Sequence, residues 1–167
     1  MQQDIGRAIQ QLSDSDAANR RRAAETLLAM GSEAQSAAAA LVRATADADE
    51  IVREAVVGTL ESLGAPAAQD IAELTNLLTS ESTDTAYWAA TLLGRAGIAA
   101  SSSVEVLARV LTASSAPELR QRVAWALGLI KDPQPEAVRA LEEASASGDS
   151  RLARISRQSL EQLRTGF

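Results

Sequence analysis

Few side chains in this sequence can do chemistry, and most of them suit recognition better than catalysis. There is no His and no Cys, which removes the commonest general base, the thiolate nucleophile and the usual soft metal ligands. Base chemistry would fall to carboxylates or to the lone lysine, Lys131. Glu142–Glu143 and Asp47/Asp49–Glu50 place acids side by side. Adjacent residues on a helix do not face one another, so these read as caps and solvated charge. Metal-ligand spacing, a phosphate-cradling glycine loop and a dinucleotide fingerprint do not occur. The expectation is a chain without catalytic residues and without a cofactor. What remains is a small aromatic set, Tyr87, Trp88, Trp125 and Phe167. The first three stand near Arg95, Arg122 and Leu129, and Trp, Tyr and Arg are the types enriched in binding hot spots.

Those residues must be positioned by a repeat. Arg20–Gly31, Arg53–Gly64 and Ala86–Gly97 superimpose as sequences, with glycines 33 residues apart. Arg120–Lys131 follows after 34 residues, and a weaker copy, Ala153–Arg164, after 33 more. Apolar residues recur in each copy at i, i+1, i+4 and i+7, which is one stripe of a helix. The stripe reads Ala23, Val56, Ala89, Val123 and Ser156, then Ala24, Val57, Ala90, Ala124 and Arg157. It continues through Leu27, Leu60, Leu93, Leu127 and Leu160, then Met30, Leu63, Ala96, Ile130 and Leu163. A second helix lies between copies, with Ile5, Ala38, Ile71, Val104 and Val138 facing inward. One turn later stand Ala8, Leu41, Leu74, Leu107 and Leu141. A pair of helices cannot bury such faces alone and must stack on the next pair.

The expected architecture is therefore all-α: an α-solenoid of five helix-pair repeats, about ten helices, forming one domain over 1–167. The repeats run approximately 1–31, 32–64, 65–97, 98–131 and 132–167. The helices are expected over 3–12, 16–30, 34–46, 49–63, 68–79, 83–96, 102–113, 116–130, 135–146 and 150–164. An apolar content of 46%, dominated by Ala and Leu, favours helix throughout. Gly31, Gly64 and Gly97 suit helix stops of positive φ. Asp49, Asp84 and Asp149 suit N-caps, Ser115–Glu118 reads as a capping box, and Pro66 and Pro133 suit first turns of outer helices. The fifth unit, with Ser145, Ser156 and Arg157 at core registers, reads as a polar C-terminal cap.

Val52–Gly64 and Leu119–Asp132 carry the pattern of an Arg at the helix start, then Val/Ala, then Leu, then Leu-Gly or Leu-Gly-x-Ile-x-Asp. In this they resemble HEAT repeats, most closely the short bacterial variety found in phycobilisome-lyase-type proteins. The resemblance covers nearly the whole chain. It implies a scaffold fold and leaves activity open. It also implies a ladder between repeats, in which Arg20, Arg53 and Arg120 hold inter-repeat structural positions. Ala86 and Ala153 depart from that pattern, so the ladder should break at repeat three.

Such solenoids bind through the concave face lined by their second helices. The stripe opposite the core reads Arg21, Arg22 and Glu25, then Glu54, Ala55 and Glu61, then Tyr87, Trp88, Thr91 and Arg95. Gln121, Arg122, Trp125 and Leu129 follow, then Arg154, Ile155, Gln158 and Gln162. The two indoles are expected diagonally across adjacent helices, with Arg122 beside Trp88 and stacked on its face. The competing reading is that both indoles fold down and fill gaps between Ala-rich helices.

Charge bounds the partners. The net charge is −6, opposite to that of a domain holding phosphates. From Asp47 to Asp84 nine acids face one Arg, and from Arg120 onward eight basic residues face six acids. No apolar run approaches the roughly 20 residues that span a bilayer. The start, Met1–Asp4, lacks a signal peptide's basic and apolar regions. The expectation is a cytoplasmic monomer or weak dimer, without a membrane role, that binds a protein or peptide. The alternative is an accessory protein of phycobilin-lyase type, stacking a flat tetrapyrrole-like ligand on Tyr87, Trp88 and Trp125. A HEAT-like DNA-repair protein ranks third, because nucleic acid is disfavoured by the charge.

Overall fold

The computed structural model describes residues 2–165; Met1 and the expected aromatic Phe167 lie outside the described residues. Ten α-helical segments follow in order: α1 Gln2–Gln11, α2 Ala17–Met30, α3 Ala38–Ala44, α4 Glu50–Ser62 and α5 Ile71–Leu77. The second half continues with α6 Thr83–Ala96, α7 Val104–Ala113, α8 Pro117–Ile130, α9 Pro135–Ser145 and α10 Ser150–Thr165. They form eight continuous helices among the described residues where about ten were expected, because 3-10 segments join α2 to α3 and α6 to α7, and another leads into α5. The described residues contain no strand. Outer helices α3, α5 and α7 begin later than expected because the chain enters each through a 3-10 segment, Gly31–Ala37, Ala68–Asp70 or Gly97–Ser103. Ala34 and Ala100 lie just outside helical geometry there.

The elements pack as pairs, α1 on α2 through to α9 on α10, in two layers of odd-numbered and even-numbered helices. The core is the periodic stripe: Leu27, Leu60, Leu93 and Leu127 are fully buried between the layers, as are Leu41, Leu74, Leu107 and Leu141. Each such side chain contributes roughly 1.5–3 kcal/mol by leaving water. Met30, Val57, Ala96 and Val138 are only partly buried, and Arg157 is exposed. Helix α10 leaves Arg151, Arg154, Gln158, Glu161 and Arg164 exposed.

The turns inside the pairs repeat a device. Asp14, Asp47, Ser80, Ser114 and Ser147 each accept the N–H two residues on. Two residues later stand the N-caps: Asp16, Asp49, Ser82, Ala116 and Asp149. Asp49 and Asp149 thus cap as expected, whereas Asp84 does not, because Ser82 takes the N–H of Thr85. Ser115 does not form a capping box; α8 starts from Ala116 with Pro117 in its first turn. Likewise Pro135, not Pro133, opens α9, and Pro66 precedes the 3-10 segment leading into α5. Gly31, Gly64 and Gly97 take φ of 53°, 74° and 59°, and Lys131 fills the equivalent left-handed position at 57°.

One sequence expectation needs amending. Thr83–Ala113 is long and apolar enough, by length and composition, to cross a membrane. It is not one straight helix, because Gly97 turns the chain between α6 and α7 and the flanking residues Leu92, Leu93, Val104 and Leu107 are buried in the core.

Candidate functional site

The even-numbered helices carry the site residues, and the spacing between these helices decides what the site looks like. Helices α2 and α4, α6 and α8, and α8 and α10 pack side by side, whereas α4 and α6 stand apart. The repeat register gives the reason. Residues 28, 61, 94 and 128 face the next even-numbered helix, whose matching positions are 58, 91, 125 and 158–159. Leu28 lies against Gly58, and a Cβ at Gly58 would meet its Cδ1 at 3.2 Å. Gly94 reverses the sizes: its Cβ would meet the Trp125 ring at 2.9 Å and the Ala126 Cα at 3.0 Å. Gly128 lies equally close to Ser159 and Gln162. Large meets small at each of these junctions, and the helices close. Between α4 and α6 the corresponding pair is Glu61 and Thr91, which has no such fit.

Polar staples follow the same division. Arg20 forms a bidentate pair with Asp47 of the next repeat, at 2.7 and 3.0 Å. Arg21 pairs with Asp49, and Gln121 donates to Asp149 at 2.8 Å. These contacts hold all three carboxyls below the ordinary Asp range, chiefly through the hydrogen bonds from Arg20, Arg21 and Gln121. The ladder expected of Arg20, Arg53 and Arg120 is thus corrected. Arg53 donates to the carbonyl of Asp47 and Arg120 to that of Leu111, both inside their own repeats. The acid each would need in the next repeat is replaced by Ser80 and Ser147.

Across the α4–α6 gap the links are different. Thr45, just after α3, shares a hydrogen bond of 3.0 Å with Thr85 of α6, and both hydroxyls are buried. Arg95 reaches from α6 to the carbonyls of Leu60 and Glu61 at 2.7 and 3.4 Å. Burial, with Arg122 nearby, lowers the pKa of its guanidinium from the usual arginine range. Arg95 was expected on the binding face; it is instead a strut holding the last turn of α4, because those carbonyls have no helical partner.

The aromatic residues also arrange differently from expectation. Arg122 does not stack on Trp88. Its guanidinium lies 4.5 Å from the Tyr87 ring centre and 4.8 Å from the Trp125 ring centre, and it donates to the Tyr87 hydroxyl. Trp88 meets Tyr87 edge to face, with ring centres 5.9 Å apart and planes at 81°. Both indoles remain partly exposed, so neither is simply core filling. They do not share one site. Trp88 lines the cleft between α4 and α6, a cavity of about 500 Å³ with Glu50, Glu54, Gly58, Glu61 and Asp84. Trp125 lines a second hollow of about 390 Å³ toward α10, with Tyr87, Glu118, Arg122, Arg151 and Ile155. Leu129 is partly buried and lines neither. Ala55 and Thr91, expected on the open stripe, are buried, and Thr91 donates to the Tyr87 carbonyl.

Sequence reasoning missed the cleft itself. Its signal was present, since Glu61 occupies a register where two later repeats carry glycine. No group of three or more acids able to hold a metal ion occurs among the described residues.

This architecture matches known proteins by structure more than by sequence. A search of curated proteins finds no match. The phycocyanin lyase complex of CpcE and CpcF from Nostoc sp. PCC7120 superimposes with a TM-score of 0.66 at 21% identity, covering 96% of this chain and 65% of that one. An engineered protein gives 0.63 at 20% identity, covering 96% of this chain, which spans only 47% of that protein's length. Another engineered protein gives 0.51 at 18% identity over 98% and 97% of the two chains. Likenesses of this kind establish the fold alone. The family profile of HEAT repeats matches residues 6–73 and 71–161, which together take in most of the sequence. The chain belongs to the HEAT-repeat family.

Proposed function

We propose that the chain is a non-enzymatic scaffold that holds a protein or peptide segment against the concave face formed by its even-numbered helices. The observation that carries this reading is the Tyr87–Arg122–Trp125 stack, with Trp88 set against its edge and a hollow on either side. Contacts within the group fix its side chains, so a ligand meets rings already oriented and loses less entropy on binding. Trp88 and Trp125 serve as anchors, one in each hollow, and Tyr87 with Arg122 sets the wall between them. That the CpcE likeness comes from a two-chain complex supports a protein partner in the same coarse sense.

A peptide-display selection on the immobilised protein tests the reading. Selected segments should lose at least about 30-fold in affinity for each of Trp88→Ala and Trp125→Ala that they contact, the equivalent of about 2 kcal/mol per hot spot. Helicity by circular dichroism should stay unchanged. A selection that returns nothing above background, or segments indifferent to both substitutions, refutes the scaffold. The tetrapyrrole alternative draws on the likeness to the lyase complex and on Trp125, Arg122 and Arg151 around one hollow. It is the weaker reading, because Arg122 already covers the Tyr87 and Trp125 rings that a flat ligand would use. Quenching of Trp125 by a porphyrin at micromolar concentration would reverse the two.

A further inference from the structure

We infer that the cleft between α4 and α6 is a slot for a partner segment bearing Arg or Lys side chains, which names the partner chemistry of the scaffold reading and rests on it. Four carboxylates line the slot, on Glu50, Glu54, Glu61 and Asp84, against one basic residue, Arg53. All four acids are exposed, and none forms an ion pair or side-chain hydrogen bond among the described residues. Arg53 is engaged elsewhere, donating to the carbonyl of Asp47. The contrast with Asp47, Asp49 and Asp149 is direct, since those acids are taken up by caps and staples.

A simpler role accounts for half of the acids only. Glu50 and Asp84 lie in the first turns of α4 and α6, where the helix dipole favours negative charge. Glu54 and Glu61 lie beyond the first turn and gain nothing from it. Glu54 stands at the register from which Arg21 and Gln121 reach the next repeat's N-cap. That cap is here Ser82, which accepts from Thr85 and, unlike Asp49 and Asp149, makes no hydrogen bond with the residue at this register. The acids therefore raise the negative potential of a notch with low-dielectric walls, the arrangement that concentrates cations.

Trp88 supplies the second element. Its ring lines the same notch, and indole is the best aromatic face for an ammonium or guanidinium. Tyr87, tied by Arg122, fixes the indole edge to face. Gly58 and Val57 leave an apolar floor for the methylene stem that Arg and Lys bury while their heads stay charged. The volume, about 500 Å³, is in the range of recognition pockets.

The test uses the full chain with Trp125→Phe, so that fluorescence reports Trp88. The probes are an acetylated peptide alternating Gly and Arg, its Gly–Glu counterpart, and free arginine. The Arg peptide should quench Trp88 saturably and bind more weakly as salt rises. Glu54→Gln with Glu61→Gln, both exposed and safe for folding, should weaken it about tenfold, and Trp88→Leu, which leaves no tryptophan and is therefore followed by the anisotropy of a dye-labelled Arg peptide, should do as much. Equal binding of the Glu peptide, an unaltered affinity in the double Gln variant, or no quenching at millimolar peptide each overturns the slot. Free arginine binding as tightly as the peptide overturns the segment in favour of a small-cation site. Display-selected segments that depend on Trp125 but never on Trp88 or Glu54 leave the scaffold standing and remove this slot.

Discussion

The junction between α4 and α6 and the junction between α6 and α8 are built from the same registers and have opposite outcomes. In the second, Gly94 lets the α8 backbone and the Trp125 ring come within contact of α6, and the pair closes. In the first, Glu61 occupies the glycine position, the helices stay apart, Arg95 bridges the space, and the Thr45–Thr85 hydroxyl pair ties α6 to the end of α3 instead. The pair of residues that meets at this register thus decides whether neighbouring helices make core or a cleft. The partial exposure of Trp88 beside the open junction and the unpaired acids are consequences of that choice.

Exchanging the two residues should give the largest effect. Gly94→Glu puts a side chain and a charge where a Cβ alone meets backbone at 3.0 Å. Overpacking with an unpaired charge should cost about 3 kcal/mol or more in chemical denaturation, with α8 and α10 losing exchange protection first. Glu61→Ala, at an exposed site, should change stability by no more than about 0.5 kcal/mol. Similar losses from both variants would mean that register 61/94 does not control the junction. The strut comes next. Arg95→Ala removes two hydrogen bonds to carbonyls that lack helical partners, at a cost of about 1–2 kcal/mol. Amide exchange should quicken at the end of α4 and the start of the chain beyond it, with α2 unchanged. Uniform loosening of every helix would show that Arg95 serves general packing instead.

The comparison also marks what could be read from residues alone. The helix pairs, the core stripe and the positive-φ stops at Gly31, Gly64 and Gly97 follow from local periodicity, because each repeat restates the same physics. The openings do not, because they depend on which side chains of two helices meet. Knowing that Trp88 and Arg122 share a register does not say that Arg122 leans toward Tyr87 and Trp125, on either side of it, rather than toward Trp88. Arg53 and Arg120 carry the ladder residue, but whether a ladder forms is set by the next repeat, where Ser80 and Ser147 replace the acid. Turn chemistry was similarly displaced: Ser82 does what Asp84 was expected to do, a shift of two residues that the sequence hides, whereas α8 starts from Ala116 without a side-chain cap and Ser114 accepts only the Ala116 N–H ahead of it.

Acid should separate the junctions by a smaller effect. Asp47, Asp49 and Asp149 have carboxyls held below their ordinary range, mainly by hydrogen bonds from Arg20, Arg21 and Gln121. A depressed folded-state pKa contributes stability that is present above the unfolded value, about 3.9 for Asp, and is lost as pH falls through the lower folded value. All three acids join α2 to α4 or α8 to α10; none joins α6 to α8, whose contact is steric around Gly94 and whose Arg122–Tyr87 bond involves no carboxylate. Asp70 has the opposite sign, since burial raises its carboxyl, so protonation there offsets part of the loss. Between pH 5 and pH 3, hydrogen exchange should therefore quicken in the turns at Asp47–Asp49 and Ser147–Asp149 while the α6–α8 contact keeps its protection. Protection lost first at Gly94 and Ala126 would mean that charge, and not the glycine register, holds the closed junction.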